Sequence, residues 1–195
     1  MLKINDDNEK KVLYILQKFK DKSISILVLI KLLYCCELKS ISKNKKRFTT
    51  YDFKHYKFGP FVNLYDTVNT YCNLSIKENG DLDYNDLHNI KDIYKTISIS
   101  EFNKEDQEIL NEVLEKWYNA CSTGKFSGNT LDGLMNYVYM TPPLFETNYD
   151  EVIDLDSYIG QTIDKIYLTK AKLKSIDKKA DKYSELFDEV SKVLQ

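Results

Sequence analysis

The chain has 195 residues, 43% hydrophobic and 30% charged, with a formal net charge of −2. That length serves one domain, or one domain and an arm, with a core that needs no covalent staples. The near balance of charge excludes a protein that coats nucleic acid through bulk charge, while leaving room for a local basic patch.

Met1 to Lys11 is polar, carries both charge signs and lacks the apolar core of a signal peptide. The longest apolar run, Ile24 to Cys36, is broken by Ser25 and Lys31 and is too short to span a bilayer. The expectation is a cytoplasmic protein without a membrane partner. Asn8 to Phe19 reads as an amphipathic helix with Val12, Ile15, Leu16 and Phe19 on one face. Asp21-Lys22-Ser23 breaks it, and Ser23 or Ser25 caps the next helix. Ile26 to Leu38 is apolar on nearly all sides, which places it at the centre of a bundle. Lys39 to Arg47 reads as a loop. Its basic residues Lys39, Lys43, Lys45, Lys46 and Arg47 invite a nucleic-acid reading, but the run has no glycine or regular aromatic residues for stacking, so a solvated loop is favoured.

Phe48 to Phe58 is rich in Tyr, Phe and Thr and reads as extended. Phe58-Gly59-Pro60-Phe61 follows. Pro60 has a fixed φ and no N–H, which suits the first turn of a helix, and Gly59 permits a close or unusual backbone approach. The expectation is a strand that enters a helix, Phe61 to Cys72, through one rigid corner. Asn79-Gly80 is a strong turn signal and suggests a small hairpin of 74–77 with 81–84. Asn85 to Ile97 has helical spacing of Leu87, Ile90, Ile93 and Tyr94. Asn103-Lys104-Glu105-Asp106 opens a helix whose buried stripe is Ile109, Leu110, Val113, Leu114, Trp117 and Tyr118. Ser122 to Gly128 is a loop, Thr130 caps a short helix through Met135 and Tyr139, and Pro142-Pro143 ends it.

Catalytic chemistry is hard to find. Four cysteines, at 35, 36, 72 and 121, form no CxxC pair and read as reduced thiols. His55 and His88 have no partner at metal-ligand spacing. Ser122-Thr123-Gly124-Lys125 lacks the glycine and the magnesium-binding hydroxyl of a phosphate loop, because Asn119 and Phe126 hold those positions. Asp150-Glu151 and Asp154 with Asp156 lack a calcium-loop pattern. No catalytic residue, metal or cofactor is expected, and an enzyme is the least favoured class.

From about Ser157 to Gln195 no proline occurs, and Gly160 is the only glycine. Apolar residues at Ile159, Ile163, Ile166, Leu173, Ile176, Ala180, Tyr183, Phe187, Val190 and Leu194 keep mostly three- and four-residue gaps. This amphipathic arm is read three ways: folded back on its own domain, paired with a second copy as a homodimer, or packed on another protein.

Three elements in order carry a resemblance. Lys31, Leu32, Leu33 and Tyr34 form the first motif, Gly59, Pro60, Leu64, Tyr65 and Asp66 the second, and Leu131, Leu134 and Pro143 the third. Together, over roughly residues 10 to 156, they resemble the Panacea domain of SocA-like bacterial and phage antitoxins. Cys35-Cys36-Glu37 stands where that family usually has an aromatic residue, Ala and Asp, and Leu144 stands in place of its Trp. The resemblance implies a mainly α fold with a small β element (α+β), placed around 48–58 and 74–84. The Panacea-like domain would cover 1–156 and the helical arm 157–195. It implies an antitoxin that neutralises a cognate protein toxin by binding it directly. The candidate contact residues are Ile166, Leu173, Ile176, Tyr183 and Phe187, while Gly59 and Pro60 are architectural. The alternatives are a nucleic-acid-binding regulator using Lys43 to Arg47 with Lys54 and Lys57, and a phage counter-defence protein or proteolytic adaptor acting by protein binding.

Overall fold

Helices dominate the computed structural model, which describes residues 4, 6–22, 24–74, 90–93, 95–118, 134 and 137–163. Helix α1 (Asp7–Lys18) starts where the Asp6 carboxylate accepts from the backbone N–H groups of Asn8 and Glu9. Its anticipated face is buried, and so are Lys11, Leu13 and Tyr14. A single 3₁₀ turn, Lys20–Lys22, follows.

Helix α2 (Ile26–Asn44) is capped by Ser25, whose Oγ accepts from the Val28 N–H. It is buried on nearly all sides, and α1 and α4 both pack on it. It runs to Asn44, six residues beyond the expected end at Leu38, so Lys39 to Asn44 is helical rather than loop. Local polarity misled the reading here. Ser40 and Ile41 are buried, and Lys39 and Lys43, one turn apart, reach acidic residues of the neighbouring helix. The helix stops at Lys45, which takes the left-handed conformation at φ 55° that glycine more often supplies.

The Gly-Pro segment is not a strand-to-helix corner. Lys54–Tyr56 (β1) and Gly59–Phe61 (β2) pair antiparallel, with Tyr56 opposite Gly59, His55 opposite Pro60 and Lys54 opposite Phe61. Lys57 and Phe58 make the turn without positive φ, and Gly59 follows at φ +85°. An ordinary turn followed by a left-handed residue restores the strand twist that a primed turn supplies by itself. Pro60 sits on an edge strand, where its missing N–H is harmless. A third segment adds to the other side of β1. His55 N–H donates to Glu151 O at 2.8 Å, Asp150 N–H to His55 O at 2.7 Å, and Ile153 N–H to Phe53 O at 2.7 Å.

Helix α3 (Tyr65–Tyr71), with Leu64 at its N-cap, starts four residues later than expected. Strand β3 (Cys72–Leu74) pairs with β4 (Ile90–Ile93), with an irregular register. Residues 90–93 are therefore strand where helical spacing suggested helix, because β-branched Ile90 and Ile93 are claimed by pairing with β3. The Asn79-Gly80 turn lies outside the described residues. Ser98 and Glu101 form a capping box on a short 3₁₀ turn, Ile99–Glu101. Helix α4 (Lys104–Tyr118) buries the expected stripe. Thr141 precedes α5 (Pro142–Glu146), so the Pro-Pro pair begins a helix, its fixed φ suiting the first turn.

The chain divides into two compact units, Met1–Asp164 and Lys165–Gln195. The arm candidates Ile166, Leu173, Ile176, Tyr183 and Phe187 lie outside the described residues, as do Leu131, His88 and Cys121. Among the described residues no helix is long and apolar enough to cross a membrane.

Candidate protein-interaction surface

The second turn of α2 delivers Lys31 into the interior at 1% exposure. Its Nζ donates to the Pro60 carbonyl at 2.7 Å. That carbonyl points off the outer edge of β2, where no further strand pairs among the described residues. The lysine thus closes the sheet edge from behind. Burial pushes the Lys31 ammonium down to about 7, with Cys35 acting weakly the other way. A side chain at Gly59 would meet Lys31 Nζ and Tyr139 Cζ, both at 3.4 Å. Gly59 therefore combines a positive φ with a close approach. Leu32, Leu33 and Tyr34 are wholly buried core residues, and the Tyr34 ring meets Phe53 edge-on at 5.4 Å. Burial raises the Tyr34 hydroxyl pKa well above its ordinary value, with Thr141 opposing. Leu64 is buried beneath the start of α3, and Tyr65 is half-buried.

Glu37 is the side chain whose role the sequence reading missed. It is fully buried, and its carboxylate accepts from Phe48 N–H at 2.9 Å, Thr49 N–H at 2.8 Å, the Thr49 hydroxyl and Arg47 Nε at 3.0 Å. One carboxylate therefore organises the irregular segment 47–49 that links α2 to the sheet. Arg47 is also tied to Asp156 and the Tyr51 carbonyl. The signal was Glu37 standing where the resembled family places Asp, at the end of the first motif. A second buried ion pair, Lys11 with Asp106 at 3.0 Å, joins α1 to α4, and Lys11 donates to the Phe48 carbonyl at 2.6 Å.

The basic run looks different in three dimensions. Lys39 pairs with Glu112, Lys43 with Glu108 and Glu112, Lys46 with Glu105 and Arg47 with Glu37. The α4 glutamates at 105, 108 and 112 recur every three or four residues and form a carboxylate row along one face. Four of the five basic residues that suggested nucleic acid are thus neutralised by this row or by Glu37.

His55 is buried, and its Nδ1 donates to the Thr147 carbonyl at 2.7 Å, which fixes the α5 exit against β1. Cys35, Cys36 and Cys72 are all buried. Burial raises the Cys36 thiol pKa well above the ordinary value and pushes that of Cys72 up to about 11. Both thiols are held in the protonated form, which is poorly nucleophilic. An open cleft between α2 and α4 is lined by Cys35, Lys39, Glu112, Trp117 and Tyr137. The chain's own Lys116 lies 5.0 Å from the Trp117 ring and 4.4 Å from that of Tyr137, so the cation position over those rings is already taken.

The sheet has two unlike faces. Phe53, His55, Pro60 and Ile153 point inward and are buried, while Lys54, Tyr56 and Val152 point outward and are exposed. The Tyr56 ring stacks on Tyr149 at 5.7 Å with an interplanar angle of 19° and meets Phe61 at 5.7 Å.

Residues 29–132 match the family model described as antitoxin SocA-like, Panacea domain. Neither a curated protein nor a solved structure matches the chain. The matched stretch begins inside α2 and includes Lys31, Glu37, the hairpin, α3 and α4. It spans more than half of the sequence, and on that ground the chain belongs to the SocA-like antitoxin family, through its Panacea domain.

Proposed function

We propose that this protein is an antitoxin that neutralises a cognate protein toxin by direct binding, occluding the surface the toxin uses. The observation that carries the reading is the family match, which covers most of α2, the hairpin and α4. The interior chemistry agrees with it. Glu37, Lys31 and the Lys11–Asp106 pair are consumed in holding elements together, and the Cys36 and Cys72 thiols are kept protonated. These groups serve a scaffold for binding better than a catalyst. The amphipathic stripe of Ile166, Leu173, Ile176, Tyr183 and Phe187 supplies contacts to the toxin, because large apolar side chains dominate such interfaces. A nucleic-acid role draws little support from the basic run, since the α4 glutamates and Glu37 already meet its charges.

Co-expression with the adjoining gene tests the proposal. A neighbour that arrests growth alone, is harmless beside this chain and co-purifies with it supports direct neutralisation. A toxic neighbour that this chain cannot silence, or one silenced without any stable complex, rejects it.

A further inference from the structure

Four of the five large apolar side chains most exposed among the described residues gather on the small sheet: Tyr56, Phe58, Tyr149 and Val152. Tyr149 is 57% and Tyr56 42% exposed. An antiparallel sheet with one face on the core usually turns polar residues to water on the other. Here the strand parity puts Tyr56 and Val152 outward and stacks Tyr149 on Tyr56, with Phe58 at the turn. The platform beneath is rigid. β1 is bonded on both sides, and β2 is held from behind by Lys31. Aromatic groups fixed in advance on such a platform lose little freedom when they bind.

The charges around the face differ from most of those in the basic run that precedes the sheet. Lys54 and Lys57 make no ion pair among the described residues, whereas Lys39, Lys43, Lys46 and Arg47 are all paired. Lys54 lies on the outward face, and Lys57 Nζ rests 5.6 Å from the Phe58 ring centroid. Asp52, just before β1, and Asp150, in the segment bonded to β1, are exposed and would repel a phosphate backbone, which favours a protein occupant over nucleic acid. Four side chains fall well short of the roughly 800 Å² per partner that a stable dimer buries. The face therefore fits one part of a larger contact better than a self-sufficient homodimer interface.

We infer that this outward face docks the cognate toxin, whose surface offers an apolar recess for Tyr56, Phe58 and Tyr149, with carboxylates placed to meet Lys54 and Lys57. The inference rests on the antitoxin reading and adds a contact that is separate from the arm.

The test uses the full chain co-expressed with the toxin of the adjoining gene. Two double variants are made, Tyr56→Ala with Tyr149→Ala and Lys54→Glu with Lys57→Glu, and toxin affinity and growth rescue are measured. The aromatic pair is expected to weaken binding about thirty-fold or more. The lysine reversal is expected to slow association and flatten its salt dependence. Unchanged thermal melts show that the variants are folded, and Phe58→Ser at the exposed turn is the substitute if one is not. Full neutralisation by both variants overturns the inference. So does a wild-type dimer that these variants split while neutralisation persists, since the face would then belong to a second copy. An unmodified chain that fails to bind the toxin removes the antitoxin reading itself, and this docking site with it.

Discussion

Lys31 Nζ and the Pro60 carbonyl oxygen lie 2.7 Å apart in the core, so one hydrogen bond ties the second turn of α2 to the outer edge of the hairpin. The bond explains why a lysine sits in an otherwise apolar helix. It satisfies a carbonyl that the sheet leaves unpaired, and an unsatisfied buried carbonyl would cost about 1–3 kcal/mol.

Lys31 makes stability depend on pH. Its ordinary value of 10.5 falls to about 7 in the folded chain. Between those values the unfolded chain binds the proton and the folded chain does not, so stability rises with pH. The contribution is lost progressively as pH falls from 10.5 to about 7, below which both states hold the proton. The clean window is about pH 7 to 8.5, because the raised pKa values of Cys36 and Tyr34 lower stability in more alkaline solution. Within it, wild type should gain up to about 1.4 kcal/mol per pH unit relative to Lys31→Met. Urea unfolding of both proteins at several pH values checks this, and parallel curves would contradict it.

Gly59→Ala should destabilise the domain by about 1–2 kcal/mol, from the positive φ and the crowding of Lys31 and Tyr139. The expected readout is a lower denaturant midpoint with toxin affinity per folded molecule unchanged. A loss of affinity without a loss of stability would give Gly59 a recognition role instead.

Glu37→Ala should cost about 3–5 kcal/mol, because it leaves the Phe48 and Thr49 N–H groups and the Arg47 guanidinium without their acceptor in the interior. Arg47→Ala should cost less, since Arg47 is half-buried and its loss leaves Glu37 three other donors. Equal costs, by chemical denaturation, would mean that the ion pair matters more than the backbone contacts.

The charge row between α2 and α4 should be nearly silent. Lys39→Ala and Lys43→Ala are expected to leave the unfolding midpoint almost unmoved, as exposed ion pairs contribute little net stability. The wild-type chain should show no salt-sensitive retention on duplex DNA at about 0.1 M salt. Steeply salt-dependent retention would revive the regulator reading.

The arm gives the last prediction. Ile176→Asp, Tyr183→Asp and Phe187→Asp together should abolish neutralisation and leave the melting of the domain intact, measured by growth rescue and circular dichroism. Rescue that persists would assign the whole contact to the domain.

Much of this protein could be read along its chain. The all-round apolar Ile26–Leu38 segment marked the central helix, the stripe from Ile109 to Trp117 marked α4, and three short motifs in order pointed to the family. These signals are local, set by the periodicity of burial on one element. What tertiary structure decided was packing and pairing. Lys39 to Asn44 became helix because Ser40 and Ile41 are buried in the core, Ile90–Ile93 became strand because β3 needed a partner, and Gly59-Pro60 became a sheet edge whose carbonyl Lys31 reaches. Glu37 and the outward aromatics acquired their roles in the same way. A buried carboxylate is defined by donors ten to twelve residues away, and Tyr56 and Tyr149 meet only when the chain folds. No periodicity encodes such contacts, because they join residues whose separation in sequence has no fixed relation to their separation in space.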